Sequence, residues 1–415
     1  MEPAHASAAP LASDLPRIQA ERFCANNYHP LPVVIARGEG AFVWDTNGRR
    51  YTDMLSAYSA LNQGHRHPRI MAALVEQAGR LTLTSRAFHN DRLGPFLQRL
   101  CELAGYERAL PMNTGAEAVE TAIKAVRKWG YRKRGIPEGA AEIIVFEGNF
   151  HGRTTTITGF SSEPLYRDGF GPFTPGFRLV PYGDIDALRR AVSPHTVAVL
   201  VEPIQGEAGV VVPPDGYLSA IRALCREMGI LLVADEIQTG LGRTGRMFAC
   251  DWEDVRPDVL ILGKALGGGV VPVSAILADQ EVMDVFTPGT HGSTFGGNPL
   301  AAAVGLAALD VVVEERLPQR AHELGTWFME ELKRIDSPAV ECVRGRGLLI
   351  GVVIRREFGP ARRYCEMLMA NGILAKETHD QVIRFAPPLV IEREHLEALL
   401  PTIREVLHAP AMRAE

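Results

Sequence analysis

Cysteine is scarce in this sequence, and its positions exclude two kinds of site. Only six cysteines occur among 415 residues, at positions 24, 101, 225, 250, 342 and 365. No two of them form a C-x-x-C pair, so the spacing typical of a zinc site is absent. A disulfide framework is not expected in so long a chain. The sequence therefore predicts a protein of a reducing compartment, the cytoplasm.

Long apolar runs and an excess of one charge are also missing. No apolar stretch approaches the ~18 residues that cross a bilayer. The N-terminal MEPAHASAAPLASDLP lacks the apolar core of a secretory signal, and we expect it to be a disordered lead-in. The net charge is only −5, with acidic and basic residues interspersed, which argues against nucleic-acid binding and membrane anchoring.

What the sequence does contain is a series of short, continuous apolar runs. EIIVFEG (142–148), VAVLVEP (197–203), ILLVADE (230–236) and VLILGKA (259–265) are typical of strands buried on both faces. Amphipathic stretches such as 216–228 separate them. Alternation of strand and helix predicts an α/β fold with a mostly parallel sheet.

The two ends of the chain have a different pattern. Residues 38–54 predict an antiparallel meander with an Asn-Gly turn, and residues 298–317 predict a long linking helix. The last hundred residues predict an α+β unit. We therefore expect a large cofactor-binding domain and a smaller α+β domain built from both termini, with limits at 16–55, 56–310 and 311–408.

Two of the predicted strands end in residues that can perform chemistry. Lys264 and Asp235 both follow buried strands, and ligands of open α/β sheets bind beyond the carboxyl ends of the strands. A pyridoxal-phosphate site needs this pair, a lysine for the Schiff base and an acid at the ring nitrogen. Alternatively, Lys264 extends into solvent and Asp235 caps the next turn.

A phosphate group needs N–H donors at the start of a helix. Asn113, Thr114 and Gly115 precede an amphipathic stretch that ends near residue 129, and Gly115 allows a close approach. The loop HGSTFGGNP (291–299) offers further hydroxyl groups. An ordinary capped helix and a plain turn are the alternatives, since T-G-A-E also resembles a capping box.

The loop GNFHGRT (148–154) places an aromatic residue and an arginine after a strand. Phe150 can stack on a planar ring, and Arg153 can bind a carboxylate through two hydrogen bonds. Core packing and a solvated surface charge are the alternatives. His65 and His67 have no third ligand at a recognisable spacing, so no metal site is predicted.

Taken in their order along the chain, these motifs resemble those of the class III aminotransferases (the ornithine, acetylornithine and GABA group) of pyridoxal-phosphate fold type I. The resemblance runs from about Tyr28 to Leu400, and LLVADEIQTGLGRTG, PDVLILGKALGGG and PVSA are its most specific segments. NYHPLP, SAYSALNQG and RFAPPLVI resemble the ornithine-specific branch of that class.

The resemblance implies a complete set of cofactor-binding residues. Lys264 carries pyridoxal phosphate as a Schiff base and later moves the proton, and Asp235 pairs with the ring nitrogen. The remaining contacts that it implies are Gln238 to the ring hydroxyl, Phe150 and Ile237 on the two ring faces, backbone groups of Gly115 and Ala116 to the phosphate, and Thr294 with Ser293 to the phosphate of a neighbouring subunit. A homodimer or larger homo-oligomer with shared sites follows.

The resemblance also implies a ping-pong transamination between ornithine and 2-oxoglutarate. Tyr28 and Arg153 are expected to hold the α-amino and α-carboxylate groups of ornithine, and Tyr58 to shape the pocket. Arg384 is expected to bind 2-oxoglutarate and to pair with Glu207 while ornithine is bound. Glu202 lies in the same motif as Glu207, and we expect it near the substrate.

One residue departs from the ornithine-specific pattern. His151 follows Phe150, where some ornithine enzymes carry tryptophan. The alternatives that remain open are an ω-aminotransferase acting on N-acetylornithine or GABA, a pyridoxal-phosphate aminomutase or racemase that needs no 2-oxo acid, and a scaffold that has lost catalysis.

Overall fold

The computed structural model describes residues 14–411 of the chain. The expected disordered lead-in falls mostly on residues 1–13, which lie outside that range. Its last two residues are helical, so that part of the expectation is wrong. A helix begins at Leu15 with Pro16 in its first turn, where the missing N–H of proline costs no helical hydrogen bond.

The strands form three sheets. Their bounds are β1 (Ile35–Glu39), β2 (Phe42–Asp45), β3 (Arg50–Asp53), β4 (Arg108–Met112), β5 (Glu142–Phe146), β6 (Phe177–Val180), β7 (Thr196–Val201), β8 (Leu231–Asp235), β9 (Val259–Leu262), β10 (Ser274–Ala278), β11 (Val340–Arg346), β12 (Leu349–Ile354), β13 (Ile373–Leu374), β14 (Lys376–Thr378) and β15 (Val382–Phe385).

Helices connect and cover these strands. Their bounds are α1 (Leu15–Phe23), α2 (Ser56–Ser59), α3 (Pro68–Ala78), α4 (Leu93–Ala104), α5 (Gly115–Lys133), α6 (Thr155–Gly159), α7 (Pro164–Arg167), α8 (Ile185–Ala191), α9 (Tyr217–Met228), α10 (Gln280–Met283), α11 (Pro299–Glu314), α12 (Leu317–Lys333), α13 (Ala361–Ala370) and α14 (Arg393–Leu407). None of the helices in the described range is both long and apolar enough to cross a bilayer.

The largest sheet has seven strands in the order β4-β10-β9-β8-β7-β5-β6. Strands β6, β5, β7, β8 and β9 pair in parallel, while β10 is antiparallel to β9 and β4. The four apolar runs that predicted buried strands are β5, β7, β8 and β9. The predicted α/β class with a mostly parallel sheet is therefore confirmed.

Separate apolar cores cover the two faces of this sheet. On β7, Val199 and Val201 pack into one core, and Ala198 and Leu200 pack into the other. All six residues of β7 are buried, which explains why the run is apolar at successive positions instead of alternating.

Residues from both ends of the chain share a sheet in the order β1-β2-β3-β13. Strands β1 to β3 form the predicted meander, and its turn uses Gly48 with φ of 81°. The short β13 adds in parallel to β3. The other strands of the described C-terminal part form a third sheet in the order β11-β12-β15-β14. The domain limits given above stay a prediction.

The predicted helix over 298–317 is shorter than expected. Helix α11 ends at Glu314, and α12 begins at Leu317. Between them Arg316 has a left-handed φ of 52°, and Pro318 lies in the first turn of α12, where proline is well tolerated. The chain therefore turns at a point where the apolar pattern alone suggested continuity.

Candidate active site

Asp235 and Lys264, the two candidate catalytic residues that follow predicted strands, lie at one edge of the large sheet. Asp235 is the last residue of β8, and Lys264 follows the end of β9 by two residues. Strands β8 and β9 are neighbours in parallel, with Asp235 paired to Ile261. The crossover that the sequence predicted therefore brings both side chains to the same carboxyl edge.

A cleft of about 210 Å³ opens at this edge. Among the predicted site residues, its lining includes Gly115, Ala116, Phe150, Glu202, Asp235, Ile237, Gln238 and Lys264. His151 and Thr239 line it as well. The cleft thus joins residues from five separate segments of the chain.

Burial shifts the pKa of two ionisable groups in this cleft, Lys264 and Glu202. It lowers the pKa of Lys264, although the negative charge of Glu207 opposes this shift. It raises the pKa of Glu202 to about 7, and the backbone N–H of Phe150 donates to its Oε2 atom at 2.9 Å. An amine with a lowered pKa is neutral more often and can act as a nucleophile and a base.

Asp235 is held by a partner to which the sequence interpretation assigned no role. Its Oδ2 atom lies 2.6 Å from Nδ1 of His151, and its Oδ1 accepts the N–H of Ile237 at 3.0 Å. Burial disfavours the charged imidazole, but Asp235 outweighs this and raises the pKa of His151. The sequence signal that could have identified His151 as a site residue was its position directly after Phe150 on the same loop.

The start of α5 is arranged to bind an anion. Thr114 and Glu117 form a capping box, in which the threonine hydroxyl accepts the N–H of Glu117. The N–H groups of Gly115 and Ala116 find no acceptor within the described part of the chain and remain available. A Cβ atom at Gly115 would lie 3.0 Å from Ile237, so a larger residue would crowd the cleft.

An ion pair between a buried arginine and a half-buried glutamate adjoins the cleft. Nη1 of Arg384 lies 2.6 Å from Oε1 of Glu207 and donates to Oε1 of Gln238 at 3.0 Å. The other end of the Gln238 amide donates to Glu207 at 3.1 Å. Burial favours protonation of Glu207, but Arg384 outweighs it and lowers its pKa to about 2.

The predicted substrate residues Tyr28, Tyr58 and Glu207 line one larger cavity of about 620 Å³. The guanidinium carbon of Arg384 lies 4.9 Å from the ring centroid of Tyr58, within the range of a cation–π contact. Burial and the charge of Glu207 raise the pKa of Tyr58. The phenol is therefore a hydrogen-bond donor at neutral pH.

Arg153 is exposed on the loop after β5 and forms no salt bridge with a carboxylate among residues 14–411. Its guanidinium carbon is 3.6 Å from the ring centroid of Tyr166 and 5.3 Å from that of Phe150. Nothing in the sequence pattern singled out Tyr166. The arginine is positioned by aromatic faces while its charge stays free for an anion.

The two predicted hydroxyl residues of the loop between α10 and α11, Ser293 and Thr294, have different environments. The hydroxyl of Ser293 contacts Asn113 at 3.0 Å and accepts the N–H of Gly296 at 2.9 Å, both within its own chain. Thr294 is exposed on the same loop. Their predicted contact with a neighbouring subunit stays a prediction.

The two histidines considered for a metal site bind separate carboxylates. Nε2 of His65 lies 2.8 Å from Asp53, and Nε2 of His67 lies 2.9 Å from Glu315. The described residues include no group of three or more acidic, histidine or cysteine side chains placed to hold a metal ion.

The chain belongs to the class III aminotransferases, because the model of the family described as Aminotransferase class-III matches residues 23–407. An ornithine aminotransferase of Brevibacillus brevis is 60% identical over 390 residues, which cover 94% of this chain and 97% of that protein. The present chain is therefore an aminotransferase of pyridoxal-phosphate fold type I.

Solved structures agree with this assignment. The ornithine aminotransferase of Toxoplasma gondii, with pyridoxal phosphate in part at its active site, has a TM-score of 0.94 and 48% identity, covering 95% of this chain and 94% of that one. An acetylornithine aminotransferase of Elizabethkingia anophelis has a TM-score of 0.87 and 50% identity, covering 95% and 98%.

The cofactor of this family is pyridoxal phosphate, and the cleft has the chemistry to hold it. Free N–H groups at the start of α5 suit the phosphate, and the buried Asp235 suits a protonated ring nitrogen. Lys264, with its lowered pKa, suits the aldehyde carbon. The Nε2 atom of His151 is buried without a partner among the described residues, which leaves a polar atom available beside Asp235.

Proposed function

We propose that this protein moves the δ-amino group of L-ornithine to 2-oxoglutarate by a ping-pong mechanism. The products are glutamate 5-semialdehyde, which cyclises to pyrroline-5-carboxylate, and glutamate. The ion pair between Glu207 and Arg384 beside Lys264 carries the proposal, because a carboxylate can cover the arginine or leave it. The reaction then belongs to the cytoplasm and connects arginine degradation with proline synthesis.

We assign the proton transfers to Lys264. Lys264 and Asp235 would hold pyridoxal phosphate, and the cofactor would supply an electron sink for the reacting carbon of the donor. The Nζ atom of Lys264 removes the proton from Cδ of ornithine and later returns a proton, as a positioned general base and acid. Its lowered pKa supports this role because a neutral amine can accept a proton.

The remaining residues of the cleft bind and orient the cofactor in this proposal. Asp235, held by His151, keeps the ring nitrogen protonated. Gln238 would bond the ring hydroxyl, and Phe150 and Ile237 would pack against the ring. We place Gly115 and Ala116 at the phosphate, since their N–H groups are free.

The two substrates differ in charge near the reacting carbon, and one arginine can serve both. Ornithine has no carboxylate there, so Glu207 stays paired with Arg384 and neutralises it. Tyr28, Tyr58 and Arg153 then hold the distant α-carboxylate and α-amine. 2-Oxoglutarate carries a carboxylate next to its keto group, which replaces Glu207 on Arg384 through two hydrogen bonds.

We also infer that Glu202 lies close to the substrate and that its main role is to hold the loop that carries Phe150. It accepts the N–H of Phe150 and so fixes the residue that stacks on the ring. Its pKa of about 7 makes its charge variable near neutral pH.

We infer a homodimer or larger homo-oligomer with shared sites. The exposed aromatic residues Phe88 and Phe295 support this, since their exposed fractions are 74% and 56%. Thr294 is next to Phe295, and in this arrangement it reaches the phosphate of the neighbouring subunit, with Ser293 behind it.

An absorbance measurement in the absence of any 2-oxo acid tests the function. Purified holoenzyme is mixed separately with ornithine, N-acetylornithine and GABA, and the visible band of the cofactor is followed. We expect ornithine to bleach the band and to yield pyrroline-5-carboxylate, and the Lys264→Ala variant to yield none. A second candidate function is that of an acetylornithine aminotransferase, which the similarity to the Elizabethkingia anophelis protein supports. Bleaching by N-acetylornithine but not by ornithine would favour this second function.

A further inference from the structure

The turn that carries Tyr58 has an unusual backbone. The four consecutive residues of α2 are left-handed, with φ of 46° at Ser56, 48° at Ala57, 60° at Tyr58 and 70° at Ser59. Residues other than glycine enter this region singly, because their Cβ atoms approach the following carbonyl. A strained turn of this kind persists only where its surroundings hold it, and such turns concentrate at functional sites.

The conformation of α2 decides where Tyr58 lies relative to the ion pair. The Tyr58 ring is 4.9 Å from the guanidinium carbon of Arg384, and Tyr58 lines the same cavity as Glu207. A relaxed, right-handed turn would send the Tyr58 side chain in another direction. The strain is therefore coupled to the geometry of the substrate pocket.

One buried arginine contacts both the turn and the strand that carries Arg384. Nη2 of Arg243 donates to the hydroxyl of Ser56 at 3.0 Å, and that hydroxyl donates to the carbonyl of Ala386 at 2.6 Å. Nη1 of Arg243 donates to the carbonyl of Pro387 at 2.6 Å. Ala386 and Pro387 directly follow β15, in which Arg384 lies.

The other contacts of Arg243 are also to neutral acceptors. Its Nε and Nη2 atoms donate to Oδ1 of Asn62 at 3.2 and 2.7 Å, and Nη1 donates to the carbonyl of Leu348 at 3.0 Å. Arg243 is fully buried and makes no ion pair with a carboxylate in the described range. Burying an arginine in this way is costly, and only its planar fork can bind so many acceptors at fixed directions.

We propose that Arg243 is a positioning residue for substrate binding. Through Ser56 it holds the left-handed turn, and through Pro387 it holds the end of β15. Tyr58 and Arg384 thereby keep the separation that a bound carboxylate requires. The inference rests on the proposed function, in which these two residues contact the substrates.

The first test compares Arg243→Lys and Ser56→Ala with the control Arg246→Lys. Arg246 belongs to the same loop but is exposed and lies over Trp252. All rates are divided by the concentration of bound cofactor, so that a loss of folded protein does not change the kcat values that are compared. We expect Arg243→Lys to raise KM for 2-oxoglutarate by about tenfold or more and to change kcat by less than about threefold. Ser56→Ala should raise KM in the same direction, and the control should not.

The second test asks whether relief of strain replaces Arg243. Glycine adopts left-handed φ at no steric cost, so Ala57→Gly makes the turn easier to keep. We expect Ala57→Gly, added to Arg243→Lys, to return KM to within about threefold of its original value. If Arg243→Lys raised KM only by leaving a cavity in the core, Ala57→Gly would not lower KM again.

The outcomes separate the two proposals. If the unchanged enzyme fails to convert ornithine with 2-oxoglutarate, the proposed function is wrong. If it converts them but Arg243→Lys and Ser56→Ala leave KM unchanged, the role of Arg243 is wrong. A raised KM that Ala57→Gly does not restore also contradicts it. Should Arg243→Lys not fold, Ser56→Ala and its combination with Ala57→Gly decide by the same criteria.

Discussion

The contact of Glu207 with Arg384 determines its charge and its contribution to stability in acid. Burial alone favours the neutral carboxyl, but the guanidinium of Arg384 at 2.6 Å lowers the pKa of Glu207 to about 2. A lowered pKa in the folded state stabilises the protein above the ordinary value of 4.5, and this contribution is lost as the pH falls toward 2. Glu207 is therefore ionised throughout the neutral range.

Glu207→Gln removes the charge that covers Arg384. We expect ornithine to react about tenfold or more slowly, because Arg384 now stays charged without a partner next to an amine that has no carboxylate. Donors with a carboxylate beside the amine, such as glutamate, should react faster. Single-turnover bleaching of the cofactor band measures both rates, with Glu207→Asp as the charge-preserving control. Equal changes for both donors would contradict the role of Glu207 as a cover.

His151 supports Asp235 through a charge that depends on pH. Its pKa is raised in the folded protein, so the pair stabilises the fold fully below the ordinary value of 6.5 and loses this contribution as the pH rises through the raised pKa. We expect the cost of His151→Phe in the free energy of unfolding to be larger at pH 6 than at pH 9. Urea unfolding of the cofactor-free protein at both pH values measures it, and a cost that grows with pH would refute the assignment.

At the scale of single elements, α13 restrains the segment that carries Tyr28. Arg362 at its start donates to the backbone carbonyls of His29 and Pro30 at 2.9 and 2.8 Å. Tyr28 itself is 76% exposed, so these bonds are the main polar restraint beside it. The neighbouring Arg363 instead donates to the carbonyl of Pro410 and provides a matched control.

Arg362→Ala should loosen this segment. The two lost hydrogen bonds to the carbonyls are worth about 3–6 kcal/mol in sum at most, because the donor is charged. The variant also loses the contacts of Arg362 with Glu366 and Glu377. We expect KM for ornithine to rise about fivefold or more, with little change in kcat, and proteolysis between residues 24 and 34 to become faster. Arg363→Ala should leave both unchanged. If the two variants behave alike, the restraint does not act through Arg362.

The elements that could be predicted are those whose pattern has one physical cause. Parallel strands buried on both faces must be apolar throughout, so β5, β7, β8 and β9 were recognisable. Helix α14 was not, because Pro401 lies inside it and proline normally ends a helix. Its burial of Leu396, Ile403 and Val406 in the C-terminal core outweighs that cost. Strand β11 also lacked a pattern, since its residues alternate in neither polarity nor burial.

At the scale of the whole molecule, a mixed oligomer tests whether sites are shared. Subunits with Lys264→Ala have no reactive lysine but supply Thr294, and subunits with Thr294→Ala have the lysine but not the threonine. If Thr294 serves the neighbouring site, a mixed dimer has one complete site and about half the activity of the unchanged dimer. Subunits are mixed under mild denaturation and separated by different affinity tags. A mixed dimer no more active than the Thr294→Ala dimer would place Thr294 in its own subunit's site.

The sequence by itself determined the chemical identity of the site. Lys264 and Asp235 each end an apolar run, and parallel strands must meet at one edge, so their meeting followed from local pattern and sheet geometry. The start of α5 was predictable in the same way, because Thr114 and Gly115 mark a helix N-terminus, and the capping box was the alternative that these residues offered there. Each of these features depends on interactions between residues close in sequence, or on a rule that all such sheets obey.

Only the tertiary structure decided how the site is supported. The partner of Asp235 is His151, 84 residues earlier, and Arg243 reaches Pro387, 144 residues later. Contacts over such distances leave no periodic signal, because they depend on how separate elements pack. The left-handed turn at Ser56–Ser59 was equally invisible, since no glycine marks it and its strain is balanced by residues far away in the chain.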